Sequence, residues 1–456
     1  MLESSVSLRS VACWLAVLLP LTLTHFRAFA EIDFDILAVL FLISSVKAGG
    51  AFSWARRPWF VMAVVWWGWQ VCCTVPSVLQ GVHGATGALI QALVAIRFPV
   101  AIAALGEWIL PDVVWRRRVL WVTFGCAIYI AAQMAFQAAF GVNFFGQPRF
   151  FDGTLTGPYA HPRAAAPLSR LILPLLMVVC ACWDRRRLPQ RFVLQAGALL
   201  AAAAIMVLAG QRMPFALAVL GLGVCAVLYR PMRLIAVSGL VGVPGLVMLA
   251  RVVSPASFHH LVTLTRCQLE HFAASPYGQI YSRVVVMASQ RPWLGYGYDG
   301  YRHDCAGAAY LTPPHWLHIV PSADPSFQVC VQHPHNLYAQ ALINSGIPGL
   351  FIFSGLIMCL LWAIWPGKHG SALQVGLFAA VLIQYWPLTS SSDFLNLPLG
   401  GWGFMLVGLA LSYKRFSSCD GFPRTQDVPN IIARIWRISC PKRMTHHVPA
   451  RFQSRF

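Results

Sequence analysis

The sequence predicts an all-α protein, a polytopic transmembrane helical bundle of about twelve spans interrupted by one large hydrophilic loop. Three observations carry that expectation. Of 456 residues, 58% are hydrophobic and only 11% charged, a balance suited to lipid rather than water. Apolar runs recur that reach the roughly 20 residues needed to cross about 30 Å of hydrocarbon. Short clusters of Lys and Arg separate them, as in cytoplasmic loops.

The expected spans run approximately over 10–26, 34–50, 59–79, 87–109, 119–140, 164–183, 192–210, 214–229, 233–250, 338–364, 372–389 and 394–412. The basic clusters test the count. Arg9, Arg56 with Arg57, Arg116 to Arg118, Arg185 to Arg187 with Arg191, Arg230 with Arg233, Lys368, and Lys414 with Arg415 all fall on one face if there are twelve spans. Adding or dropping a middle span would throw the later clusters to the wrong side. Both termini are then cytoplasmic. The chain divides into a membrane domain of nine spans (1–250), a periplasmic loop with surface helices and site residues (251–337), a membrane domain of three spans (338–412) and a basic cytoplasmic tail (413–456). Arg9, the first apolar run and Ala28 to Ala30 imitate a cleavable secretory signal. His25 and Arg27 crowd that site, and the reading is a retained span.

The net charge of +19 lies mostly in these clusters, so its expected partners are membrane lipid headgroups and not nucleic acid. Most of the thirteen cysteines sit in apolar runs as small buried hydrophobes, and no zinc spacing occurs. Cys267, Cys305 and Cys330 share the long loop, where two of them can pair if the compartment is oxidising. That loop also holds eight of the fourteen histidines, and a connection of this length usually has its own fold or function.

Three groups of residues point to chemistry. HPHNLYAQALINSGIPGLFIF, from His333, sets His335 and Asn336 at the mouth of an apolar helix, followed by a glycine hinge at Gly346 and Gly349. A histidine there can accept a proton from a sugar hydroxyl and be reset by water. Arg212 lies in the tight outer turn between two spans, fixed by Pro214, and Arg283 heads an apolar surface helix that ends at Pro292 and a Gly-Tyr-Gly turn. Two guanidinium forks converging on one point suit diphosphate oxygens without a metal. The alternatives are a helix-start histidine bonded to a carbonyl and an arginine snorkelling to lipid phosphates. His333 invites a metal reading through His-Pro-His, but no carboxylate or cysteine set completes it, so no metal and no cofactor is expected. Charges inside the spans, Arg97, Glu107 and Arg170, are expected to pair internally or snorkel, and Asp393 to cap a helix.

These segments resemble the O-antigen ligase and polymerase family of bacterial membrane enzymes. The resemblance runs over about 150 to 400. It rests on Arg212 after Gly210-Gln211, on Arg283 before Pro292-Trp293-Leu294-Gly295-Tyr296-Gly297, on His335-Asn336 before Gly346, and on GTLTGPYAHPRAAAPLSRL from Gly153. The chain departs from the family pattern at Arg163, where asparagine is frequent, at Met287 and at Leu350. The resemblance implies a glycosyltransferase of the inner membrane, active at the periplasmic face. It would move a polyprenyl-diphosphate-linked glycan to lipid A core or another glycan acceptor. His335, Arg212 and Arg283 would be catalytic, with Asn336, Tyr338, Arg163, Arg170 and Arg291 binding substrate. A repeat-unit polymerase is the nearest alternative. A lipid-linked sugar flippase is more distant, because the halves show no repeat.

Overall fold

The computed structural model describes residues 2–50, 52–183, 187–310, 331–390 and 394–416. Among them regular structure is helical, apart from one isolated bridge between Val142 and Pro148. In chain order the helices are α1 (Leu2–His25), α2 (Arg27–Lys47), α3 (Pro58–Leu79), α4 (Ala85–Val94), α5 (Arg97–Ala103, continued by a π turn over Ala104–Ile109), α6 (Val113–Phe140), α7 (Ala165–Trp183), α8 (Leu188–Leu208), α9 (Arg212–Leu228) and α10 (Met232–Val253). The connection that follows holds the short helices α11 (Pro255–Phe258), α12 (Leu264–Glu270), α13 (Pro276–Gln290) and α14 (Gly300–Asp304). Then come α15 (Leu337–Ala363), α16 (Ala372–Gln384) and α17 (Leu397–Phe416).

All twelve expected segments are helical, and the protein is a multi-pass membrane protein. Eight stretches are long and apolar enough to cross a bilayer: Leu8–His25, Pro58–Leu79, Ala85–Ile109, Val113–Phe140, Ala165–Trp183, Leu188–Leu208, Met232–Val253 and Leu337–Ala363. Arg212–Leu228, Ala372–Gln384 and Leu399–Tyr413 are apolar but shorter, and α2 carries Arg27, Glu31, Asp33 and Asp35. These four complete a bundle of twelve spans only under the topology proposed below. Asp393, Cys330 and the tail beyond Phe416 lie outside the described residues.

Local sequence sets the helix ends. Pro58 and Pro276 occupy first-turn positions of α3 and α13, where the missing N–H costs nothing. Asp112 caps α6 by accepting from the Val114 N–H, and Ser371 with Gln374 forms a capping box on α16. The intramembrane charges find partners. Arg97 donates to both Asp35 oxygens at 2.9 and 3.0 Å and stands 3.6 Å from Glu31, while Arg57 pairs with Glu107 at 3.2 Å. Arg170 does not follow them, as described below.

The core is an aromatic ladder through the bundle. Phe34 of α2 and Phe98 of α5 meet Phe404 of α17 at 6.1 and 4.9 Å between ring centres, and Phe353 of α15 meets Trp66 of α3 at 5.4 Å. Such rings bury large apolar areas, edge-on between Phe34 and Phe404 and tilted in the other two pairs. A second, smaller core joins Ile280, Val284 and Met287 of α13 with Tyr296, Tyr301, Cys305 and Ile343 of α15. It seats the α10–α15 connection on the first half of α15.

Candidate active site

The glycines after His335 mark a break in α15. Ser345 and Gly346 leave helical geometry, Gly346 at φ +67° and ψ −172°, a conformation that only glycine adopts readily. A Cβ on Gly346 would collide with the Trp293 carbonyl and come within 2.6 Å of the Pro292 oxygen. The Pro292–Gly297 turn is thus docked directly into the break. Tyr296 N–H donates to the Ile343 carbonyl at 2.8 Å, Gly297 N–H to that of Asn344 at 3.0 Å, and Ile347 N–H to that of Pro292 at 2.7 Å. From α3, the Trp69 indole donates to the Ser345 carbonyl at 2.9 Å and the Gln70 amide to the Ser345 hydroxyl at 3.1 Å. Polar groups released by the kink are therefore satisfied within the protein, as lipid surroundings demand. Gly349 lies back in helix, where any larger side chain would overlap Ser345.

The first segment of α15, Leu337 to Asn344, runs up to this kink. Asn336 is its N-cap: the side-chain oxygen accepts from the Tyr338 and Ala339 N–H groups at 2.9 and 3.0 Å, and Nδ2 donates to the Pro387 carbonyl at 2.7 Å. Tyr338, expected to meet substrate, turns into the bundle instead and donates its hydroxyl to the Tyr385 carbonyl at 2.9 Å. Tyr277, at the start of α13, places its ring edge-on to His335 with 6.1 Å between centres, and its hydroxyl shares a hydrogen bond with Ser390. The loop Tyr385–Ser390 thus receives all three side chains around His335.

His335 itself is held at φ +52°, an uncommon left-handed conformation for a non-glycine residue. Its imidazole is half-buried, and burial lowers its pKa below the ordinary value of 6.5. The ring is therefore neutral at pH 7 and able to accept a proton. His333 meets it edge-on, ring centres 4.4 Å apart, and is pushed down to about 4, first by burial and then by the charges of His335 and Arg302. Among the described residues, no group of three or more His, Cys, Asp or Glu side chains gathers as a metal site.

The arginines separate into different environments. Arg212, half-buried at the first residue of α9, donates to the Gln268 side chain of α12. Its neighbour Gln211 donates to the Pro162 carbonyl at 2.7 Å, which brings the Gly153–Arg163 segment to the same turn, with Arg163 exposed. Arg283 is buried on α13 against Tyr301, whose hydroxyl is raised to about 12 by burial in spite of the Arg283 charge. Arg291 is exposed at the end of α13 and lies over the Tyr296 ring at 4.7 Å. Arg170 is 1% exposed inside α7, away from any outer surface. Cys305 is buried and disulfide-bonded to a partner outside the described residues, while Cys267 is a free, exposed thiol.

Residues 196–354 match the family model described as O-antigen ligase. That segment is similar to O-antigen ligases. The match runs from α8 to just beyond the kink of α15 and takes in Arg212, Arg283, Arg291, His335, Asn336, Tyr338, Gly346 and Gly349. It is narrower than the expected 150 to 400 and leaves Arg163, Arg170 and the Tyr385–Ser390 loop outside. No curated protein sequence matches the chain. The matched segment therefore contains the candidate base and both candidate diphosphate arginines. Sequence reasoning missed Tyr277, Gln268 and the receiving loop. Only Tyr277, beside the Pro276 that opens α13, carried a local signal.

Proposed function

We propose that this O-antigen ligase-type protein is an inverting, metal-independent glycosyltransferase of the bacterial inner membrane. It moves a glycan from polyprenyl diphosphate to lipid A core at the periplasmic face. The observation that carries this reading is His335: neutral, half-buried and held in a strained backbone conformation at the mouth of the kinked α15, inside the matched domain. Strain of that kind accumulates where function requires it. The disulfide at Cys305 supports an oxidising compartment for the α10–α15 connection, in line with twelve spans and both termini in the cytoplasm.

In the proposed reaction the acceptor hydroxyl passes its proton to the His335 imidazole. Its oxygen forms the new bond at the anomeric carbon, opposite the departing diphosphate, which inverts that centre. The carbon–oxygen bond to the diphosphate breaks and its electron pair leaves with the phosphate. Arg212 and Arg283 hold that charge, the role of fixed cations in phosphoryl leaving-group chemistry. Arg163 and Arg291, both exposed, extend the cationic surface for the glycan-linked donor, and water takes the proton from His335. Asn336 acts by capping α15 and so orienting His335.

The test supplies reconstituted protein with a polyprenyl-diphosphate glycan and either a lipid A core acceptor or a second copy of the donor. Product on lipid A supports the ligase. Lengthened donor chains would make the protein a polymerase, and transport without a new glycosidic bond would make it a flippase.

A further inference from the structure

Arg170 is an arginine buried in the membrane domain with no carboxylate beside it among the described residues. Taking a guanidinium out of water is costly unless its donors are used, and intramembrane cations are rarely without a task. Two of its nitrogens are committed. Nη1 donates to the Ala166 carbonyl at 2.7 Å and the Ser169 hydroxyl at 2.9 Å, both on its own helix, and Nε crosses to the Gln384 side-chain oxygen at 3.0 Å. Nη2 is buried without a hydrogen-bond partner among the described residues. Gln384, itself 2% exposed, is the last residue of α16.

The chain beyond Gln384 is the loop that holds the surroundings of His335. Its Tyr385 carbonyl takes the Tyr338 hydroxyl, its Pro387 carbonyl takes the Asn336 amide, and Ser390 meets Tyr277. Thr389 ties the loop back to α16 by donating to the Ile383 carbonyl at 2.9 Å. The Arg170 fork therefore clamps α7 to the end of α16 at the base of this loop. We propose that Arg170 is a positioning residue: through Gln384 it fixes the Tyr385–Ser390 loop, and thereby the Asn336 cap and the placement of His335, without touching substrate. Lysine has no planar fork and cannot reproduce both sets of bonds.

The kinetic arm of the test rests on the transferase reading; a chemical arm does not. Full-length protein in nanodiscs carries Arg170→Lys, Arg170→Gln, Gln384→Leu or the Arg170→Gln/Gln384→Leu pair. In the kinetic arm, kcat falls on the order of 10- to 100-fold in each single variant, the range for small misplacements of a reacting group. KM for the lipid-linked donor stays within about twofold, and the pair is no worse than either single change. The acidic limb of the pH profile moves up toward 6.5 as His335 loosens from its buried setting. In the chemical arm, diethyl pyrocarbonate modifies His335 about tenfold faster in the variants, by mass spectrometry against the exposed His83 as internal standard. Full recovery by Arg170→Lys would make the role one of charge and overturn the proposal. So would a rise in KM alone, multiplicative losses in the pair, or unchanged His335 modification. If the wild type transfers no glycan, the transferase reading fails, and the modification rates still decide the positioning role.

Discussion

Gly346→Ala is the substitution that distinguishes a pinned kink from a flexible hinge. The backbone at Gly346, φ +67° and ψ −172°, costs a non-glycine residue about 1–3 kcal/mol. The new methyl would also press on the Pro292 and Trp293 carbonyls, so the docked turn must move away. That movement strains or breaks three backbone hydrogen bonds, Tyr296 to Ile343, Gly297 to Asn344 and Ile347 to Pro292, each with a net value of about 1 kcal/mol. The sum is about 4–6 kcal/mol. Gly355→Ala, nine positions further along α15, is the control: its Cβ would meet only the flexible end of Met62 at 3.0 Å, and alanine there gains up to about 1 kcal/mol of helix propensity. Thermal unfolding of the purified protein in one detergent should show a large loss for Gly346→Ala and little change for Gly355→Ala. Equal melting temperatures for the two variants would refute the docked-turn account and restore a free hinge.

Other consequences follow from the same geometry. Asn336→Ala removes the cap of α15 and leaves the Pro387 carbonyl without its donor, a combined loss of about 2–4 kcal/mol; Asn336→Asp keeps the cap and should lose roughly half as much in the same unfolding assay. The unfolded chain takes up a proton at His333 as pH falls below 6.5, whereas the folded protein holds that group down to about 4. Stability should therefore drop by roughly 3 kcal/mol between those pH values, and His333→Gln should flatten that part of the curve. Iodoacetamide without reductant should label Cys267 and spare Cys305, and Cys305→Ser should cost about 2–4 kcal/mol, read as a fall in melting temperature.

The bundle was legible because apolar runs and basic clusters are properties of neighbouring residues. Even so, hydropathy started the second span at residue 34, whereas α2 begins at Arg27. Glu31 and Asp35 are satisfied by Arg97, and Asp33 accepts from the Thr22 hydroxyl at 2.8 Å, so charges that read as a boundary are absorbed into a helix by partners distant in sequence. The His-Asn pair was legible as a candidate site, and an Asn before an apolar run is also a cap signal; in the structure Asn336 caps α15. Gly346 was legible as a break, but the turn that fills the break lies some fifty residues earlier and could not be paired with it by spacing. Tyr338 and Arg170 were read as substrate contacts because an aromatic and a cation near a site look alike whether they face outward or inward. The receiving loop went unseen for a simpler reason: it acts largely through the backbone carbonyls of Tyr385 and Pro387, which every residue carries.

The central claim is that His335 is the base of glycan transfer. The direct measurement is the rate of transfer from a polyprenyl-diphosphate glycan in reconstituted membranes, across pH 4 to 8, for the wild type, His335→Ala and His335→Gln. Because burial lowers the His335 pKa, the wild-type rate should rise with pH and level off before 6.5. Both variants should lose on the order of 100- to 10,000-fold and that pH limb with it, while still binding the donor. A variant as active as the wild type, or one that is slower but keeps the same limb, would contradict the assignment.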